Sequence, residues 1–177
     1  VTSIYQDEFG IIWIGTKDGL NRYNGTDFYI FRPIENDKHS LYNNNIGTIC
    51  GDKDGHIYIR CKYAVVEYDI KKNIFHTIRD NNIQAISYGN SRLWACTRDS
   101  LFTYNRAEDK LEYYYHLEDV RMSCVTEDHE GNLYVGTMNN GLYMLDSNKK
   151  WLNYLPTKDI TCIYEDSKKN IWVGTKD

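Results

Sequence analysis

The sequence predicts an all-β chain: a β-propeller of four-stranded antiparallel blades. Three observations carry this. An aromatic anchor recurs about every 40 residues, each repeat reads as four short strands joined by tight turns, and the composition favours pleated surfaces, with 16 Tyr and 12 Gly against 2 Pro in 177 residues. The anchors are Trp13, Tyr58, Trp94, Tyr134 and Trp172, spaced 45, 36, 40 and 38 residues apart. Six residues before four of them stand Asp7, Asp52, Asp128 and Asp166, with Tyr88 in the third repeat. Three before stand Gly10, Gly55 and Gly131, and nine before stand Ile4, Ile49, Val125 and Ile163. Gly15-Thr16, Gly136-Thr137 and Gly174-Thr175 follow at plus two and three, and Tyr23, Tyr68 and Tyr104 at plus ten.

In the first repeat, Val1–Gln6 alternates like a strand. Asp7-Glu8-Phe9-Gly10 is a turn, with Asp as cap and Gly supplying positive φ. Ile11–Thr16 is a nearly unbroken apolar run and reads as a strand buried on both faces. Lys17-Asp18-Gly19 turns into the strand Leu20–Tyr23, Asn24-Gly25 signals a two-residue hairpin, and Phe28–Phe31 is the fourth strand. Four such strands in about 40 residues make one propeller blade. The blades fall at 1–33, 46–78, 83–115 and 120–155, with a half blade at 160–177. Seven blades need roughly 280 residues, so the expectation is an incomplete arc of about four and a half blades from a seven-bladed propeller. The chain starts without Met and without a signal peptide, and reads as a piece of a longer protein.

A net charge of −4 argues against electrostatic nucleic-acid binding, and 41 % hydrophobic residues argue against disorder. No apolar run approaches the roughly 20 residues of a membrane helix. The five cysteines (Cys50, Cys61, Cys96, Cys124, Cys162) show no Cys-x-x-Cys and read as buried thiols. The five histidines are scattered, so no metal site, catalytic group or cofactor is expected. Asp52-Lys53-Asp54-Gly55 and Asp128-His129-Glu130-Gly131 read as simple turns rather than calcium loops. The Trp and Tyr anchors are expected in the core between blades.

The run Asp7-Glu-Phe-Gly-Ile-Ile-Trp-Ile-Gly-Thr-Lys-Asp-Gly-Leu-Asn-Arg-Tyr23 resembles the two-component regulator propeller repeat, as does Asp166–Thr175. His39–Ile46 resembles that family's link between blades. The second repeat departs most, with Arg60-Cys61 for Gly-Thr and Ala64-Val65 for Gly-Leu, and the third lacks both the turn Asp and the turn Gly. The resemblance implies a periplasmic segment of an inner-membrane hybrid sensor histidine kinase of the kind found in gut Bacteroidetes. It also implies further repeats and a second propeller in the same chain, a homodimeric parent, and phosphorelay control of transcription. The ligand it implies is an oligosaccharide from polysaccharide breakdown.

In a propeller, the loops joining second and third strands gather at one mouth of the channel. Here they carry Lys17, Asp18, Lys62, Tyr63, Arg98, Asp99, Met138, Asn139 and Asn140. The blade connection Pro33–Asn45 lies on the same face and adds Tyr42 and four Asn. Aromatic and amide groups suit a neutral sugar, and Lys and Arg an acidic one. The competing readings are a lyase- or lactonase-type propeller enzyme, which needs converging His and carboxylates, and a protein-docking scaffold.

Overall fold

The computed structural model describes residues 1–79, 82–146 and 148–176. Every regular element among them is a strand. The strands form four four-stranded antiparallel sheets and one two-stranded sheet, each meandering in sequence order. They fall in two compact units, 1–83 and 84–177.

The first unit holds two sheets. One comprises β1 (Ser3–Gln6), β2 (Ile12–Thr16), β3 (Gly19–Tyr23) and β4 (Phe28–Phe31). The other comprises β5 (Ile46–Gly51), β6 (His56–Cys61), β7 (Ala64–Asp69) and β8 (Ile74–Arg79). Its core gathers Trp13, Leu20, Ile46, Ile59, Val66 and Tyr68. Trp13 meets Tyr68 edge-on at 5.5 Å, and Phe31 packs on Phe75 at 5.3 Å, so the two sheets share one aromatic cluster.

The second unit holds β9 (Ala85–Gly89), β10 (Arg92–Cys96), β11 (Ser100–Asn105) and β12 (Lys110–His116). The next sheet is β13 (Met122–Glu127), β14 (Leu133–Thr137), β15 (Leu142–Leu145) and β16 (Trp151–Tyr154). The pair β17 (Asp159–Glu165) and β18 (Ile171–Lys176) follows. Trp94, Leu101, Met122, Val125 and Val135 form its core.

The turn between first and second strands explains the six-residue spacing of Asp and anchor. Asp7 Oδ1 accepts the backbone N–H of Phe9 (3.0 Å) and Ile11 (2.9 Å), while Oδ2 accepts the indole N–H of Trp13 at 2.8 Å. Asp166 repeats this with Lys168, Asn170 and Trp172, its bond from Trp172 again 2.8 Å. Asp52 and Asp128 cap the same turn, and their second oxygen takes His56 Nδ1 and Asn132 Nδ2 instead. These carboxylates are spent on amides, the turn role expected of them.

The glycine of Gly-Thr has a different cause. A Cβ on Gly15 would lie 2.7 Å from Ile46 Cγ2, and one on Gly136 would lie 2.6 Å from Ile160 Cγ2. The next sheet's first strand therefore closes directly onto the glycine. In the second sheet Arg60 takes the glycine position, and the compensation is Gly47 on β5, where any Cβ would overlap the Arg60 guanidinium.

Four expectations are corrected. Asn24-Gly25 does not make a two-residue hairpin: Tyr23 pairs with Phe28, and the four-residue loop between them is held by Asn24 Oδ1, which accepts the N–H of Thr26 and Asp27. Only Gly25 of the pair has positive φ, so the two-residue turn geometry is not met. Strand β2 is not buried on both faces: Trp13 and Gly15 are buried, whereas Ile12 and Ile14 are half-buried because no sheet covers that side among the described residues. Trp172 is 62 % exposed where Trp13 is fully buried, since β17 and β18 carry no third strand to pack over it. Cys162, in the same pair, is exposed. Burial pushes the Cys61 thiol up to about 12 and the Cys124 thiol to about 11, and all five thiols are free.

Candidate functional site at the inner hairpin tips

The second-to-third-strand hairpins are closed by the Thr of Gly-Thr. Thr16 Oγ1 donates to Gly19 O at 2.9 Å and accepts the N–H of Asp18 at 3.0 Å, and Thr137 Oγ1 donates to Gly141 O at 2.7 Å. With the hydroxyl satisfying the turn, the tip residues are left to face outward. In each unit the tips then bond to the segment connecting one sheet to the next.

In the first unit, Gly19 N–H donates to Asn44 O and Lys62 N–H to Asn45 O, both at 2.7 Å. Lys17–Asp18 and Lys62–Tyr63 are thus joined along residues 43–45. Asp18 is engaged by Arg32, at the start of that connector, through a 2.8 Å ion pair. The Arg32 guanidinium hydrogen bond holds the Asp18 carboxyl below its usual range. Asn44 Nδ2 adds a 3.4 Å contact to the same carboxylate. Lys17 and Lys62 are exposed, and Tyr63 is half exposed. Arg60 donates to Lys62 O and so braces this tip. Tyr42 stands apart from the tips: it lines a cleft with His76 and Thr77 of the outer strand β8.

In the second unit, Leu117 N–H donates to Asp99 O (2.9 Å) and Met122 N–H to Arg98 O (2.6 Å). Met138 N–H donates to Arg121 O (2.8 Å), and Asn139 N–H to Asp159 Oδ1 (2.6 Å). Asn140 O accepts Asn153 Nδ2 at 3.1 Å. Arg98, Asp99, Met138, Asn139 and Asn140 are therefore set beside the connectors 117–121 and 155–158. Met138 and Asn139 are exposed, and Asn139 holds φ at 67°.

Sequence reasoning missed Arg32, Arg121 and Asp159, which sit in connectors. A Ser, a His and an Asp also meet here: Ser100 Oγ lies 2.9 Å from Asp99 Oδ1 and 3.3 Å from His116 Nδ1. His116 Nδ1 lies 4.0 Å from the same Asp99 oxygen. A hydrolytic relay needs Asp and Ser on opposite imidazole nitrogens. Here both face Nδ1, so the group is a turn contact. Among the described residues no three His, Cys, Asp or Glu side chains converge as metal ligands.

Antiparallel four-stranded blades, with inner hairpin tips sewn to blade connectors, define a β-propeller. Residues 1–18, 116–139 and 154–177 match the two-component regulator propeller family, and the chain carries that family's repeats. The unmatched stretch contains Arg60, Cys61 and Tyr88, the positions where the repeat departs from its own pattern. Histidine kinase P4 of Formosa agariphila is 44 % identical over 41 residues, covering 23 % of this chain and 3 % of the kinase. The extracellular domain of a protein described as hybrid two component system BT4673 from B. thetaiotaomicron superposes with TM-score 0.78 at 22 % identity. The match covers 98 % of this chain and 25 % of that one. Virginiamycin B lyase of Staphylococcus aureus superposes with TM-score 0.77 at 14 % identity, covering 97 % of this chain and 62 % of the lyase. The chain thus spans a small part of the histidine kinase and a quarter of the extracellular domain.

Proposed function

We propose that this chain is an extracytoplasmic, non-catalytic propeller segment of a hybrid two-component sensor histidine kinase in the inner membrane. It senses a glycan breakdown product and relays the signal towards transcription of polysaccharide-use genes. The observation that carries the reading is the match of three segments to the two-component regulator propeller family. The hairpin-tip face supports it with a plausible contact set: exposed Lys17 and Lys62, half-exposed Tyr63, and Asn139 and Asn140 beside Met138. Such groups offer charge, an aromatic face and amide hydrogen bonds to a saccharide. Because these tips bond to the blade connectors, a ligand drawing on them would bias how successive blades pack. That is the differential contact a population shift requires. The remainder of the parent chain supplies further repeats, a second propeller and the homodimer interface.

The test is mass-action stabilisation of the full-length protein. A panel of neutral and uronic oligosaccharides is expected to contain one that raises the melting temperature in proportion to its concentration, and that stimulates autophosphorylation. A panel without effect on either readout rejects the reading.

A further inference from the structure

The most developed concavity in the first unit lies away from the hairpin tips. A cleft of about 560 Å³ opens between the connector residues 33–42 and the outer strand β8. A second cleft of about 370 Å³ adjoins it on the β4 side, sharing Pro33, Ile34, Asp37, His39, Ser40 and Leu41 as a common wall. Small-molecule sites fall roughly between 300 and 1,000 Å³.

The wall is pre-formed. Ser40 Oγ donates to Asp37 O at 2.9 Å and accepts Ile34 N–H at 3.0 Å, so one hydroxyl closes the loop. Asp37 Oδ1 accepts His39 N–H at 2.9 Å, and Phe75 N–H donates to His39 O at 2.9 Å, pinning the loop to the edge of β8. A loop of ten residues held at both ends and within itself loses little freedom when a ligand arrives.

The lining is chemically mixed. Pro33, Ile34 and Leu41 give an apolar floor, and the half-exposed ring of Tyr42 gives an aromatic face. His39, His76 and Thr77 bring hydrogen-bonding groups. One Asp and one Lys (Asp37 and Lys38) balance, so no single charge sign dominates. A ligand matching this set presents hydroxyls that both donate and accept, together with apolar C–H faces, and carries no strong charge. A neutral saccharide has that chemistry. An anion would face Asp37, and a purely apolar ligand would leave the imidazoles and Thr77 without partners.

We infer that this flank cleft is a neutral-saccharide subsite, distinct from the hairpin tips, with Tyr42 as the stacking platform and His39 and His76 as hydrogen-bonding groups. This rests on the reading of the chain as a glycan sensor.

The experiment is carbethoxylation footprinting of His39 and His76 in the full-length protein, read by mass spectrometry beside the melting temperature. The probes are cellobiose, xylobiose and mannobiose as neutral sugars, with digalacturonate as the charged comparison. The expected result is that one neutral disaccharide slows modification of both histidines by about tenfold at ten times its dissociation constant. Tyr42→Ala abolishes that protection, while Lys168→Ala, an exposed side chain in the other unit, leaves it intact. A probe that raises the melting temperature yet leaves both histidines unprotected overturns the subsite and spares the sensor reading. Protection by digalacturonate alone overturns the neutral class. If no probe acts on either readout, both fall.

Discussion

The indole nitrogen of Trp94 donates a 2.8 Å hydrogen bond to Glu127 Oε2, a carboxylate from the neighbouring sheet. In the first and last sheets the equivalent indole is satisfied within its own turn, by Asp7 and Asp166. The third sheet has Tyr88 at that position, and the acceptor arrives across the sheet-to-sheet contact instead. Gly89 makes this possible, because a Cβ there would lie 2.9 Å from both Glu127 Cβ and Glu127 O. Arg92 lies with its guanidinium carbon 5.6 Å from the Trp94 ring centroid, completing the contact.

Glu127→Ala is therefore expected to leave a buried indole N–H unpaired and to cost about 1–3 kcal/mol. Glu127→Gln, which keeps an acceptor, costs less. On a Trp94→Phe background the alanine substitution loses most of its effect. A double-mutant cycle by urea denaturation measures the coupling, and additive losses would separate the two residues.

Gly136→Ala adds a methyl group against Cys124 Sγ and 2.6 Å from Ile160 Cγ2. Its φ is not positive, so the cost is overpacking, about 1–3 kcal/mol. Trimming the neighbour with Ile160→Val is expected to return part of the loss. Thermal denaturation of the single and double variants checks this, and a harmless Gly136→Ala would mean the sheets are not closed on that glycine.

Asp166 is held at about 2, against an ordinary value of 3.8, first by the Trp172 indole bond and then by Asn170. A depressed carboxyl favours the folded form above its unfolded value, and the benefit disappears as pH falls through the folded value. The contribution is thus complete above about pH 4 and lost towards pH 2. NMR titration is expected to place this carboxyl near 2, and Trp172→Phe to move it upwards. An unmoved value in that variant would remove the indole as the cause.

In the 177-residue chain, iodoacetamide at pH 8 is expected to alkylate the exposed Cys162 well before Cys61, which is buried with its thiol raised to about 12. Peptide mapping against time reads the order. Equal rates would show that the first core opens as readily as the last pair.

Much of this protein was legible as a repeat. The spacing of Asp7 to Trp13 and of Asp166 to Trp172 is a local hydrogen bond, complete within one turn, so sequence alone displays it. Thr16 and Thr137 closing their hairpins are local in the same sense. The hairpin tips were legible as a set because one topology places every equivalent loop alike. Asn24-Gly25 misled because the Asn side chain captured two amides and lengthened the loop.

What the sequence could not display were partners distant along the chain. Glu127 replaces a missing Asp 33 residues away, and Gly47 gives room to Arg60. Arg32 claims Asp18, and Tyr42 turns to the flank beside His76 instead of joining the tips. The exposure of Trp172 likewise depends on which strands cover it. Period and turn chemistry are properties of neighbouring residues, and those the sequence determined. Close approach and the sharing of one acceptor between sheets depend on where separate strands meet, and only the tertiary structure decided those.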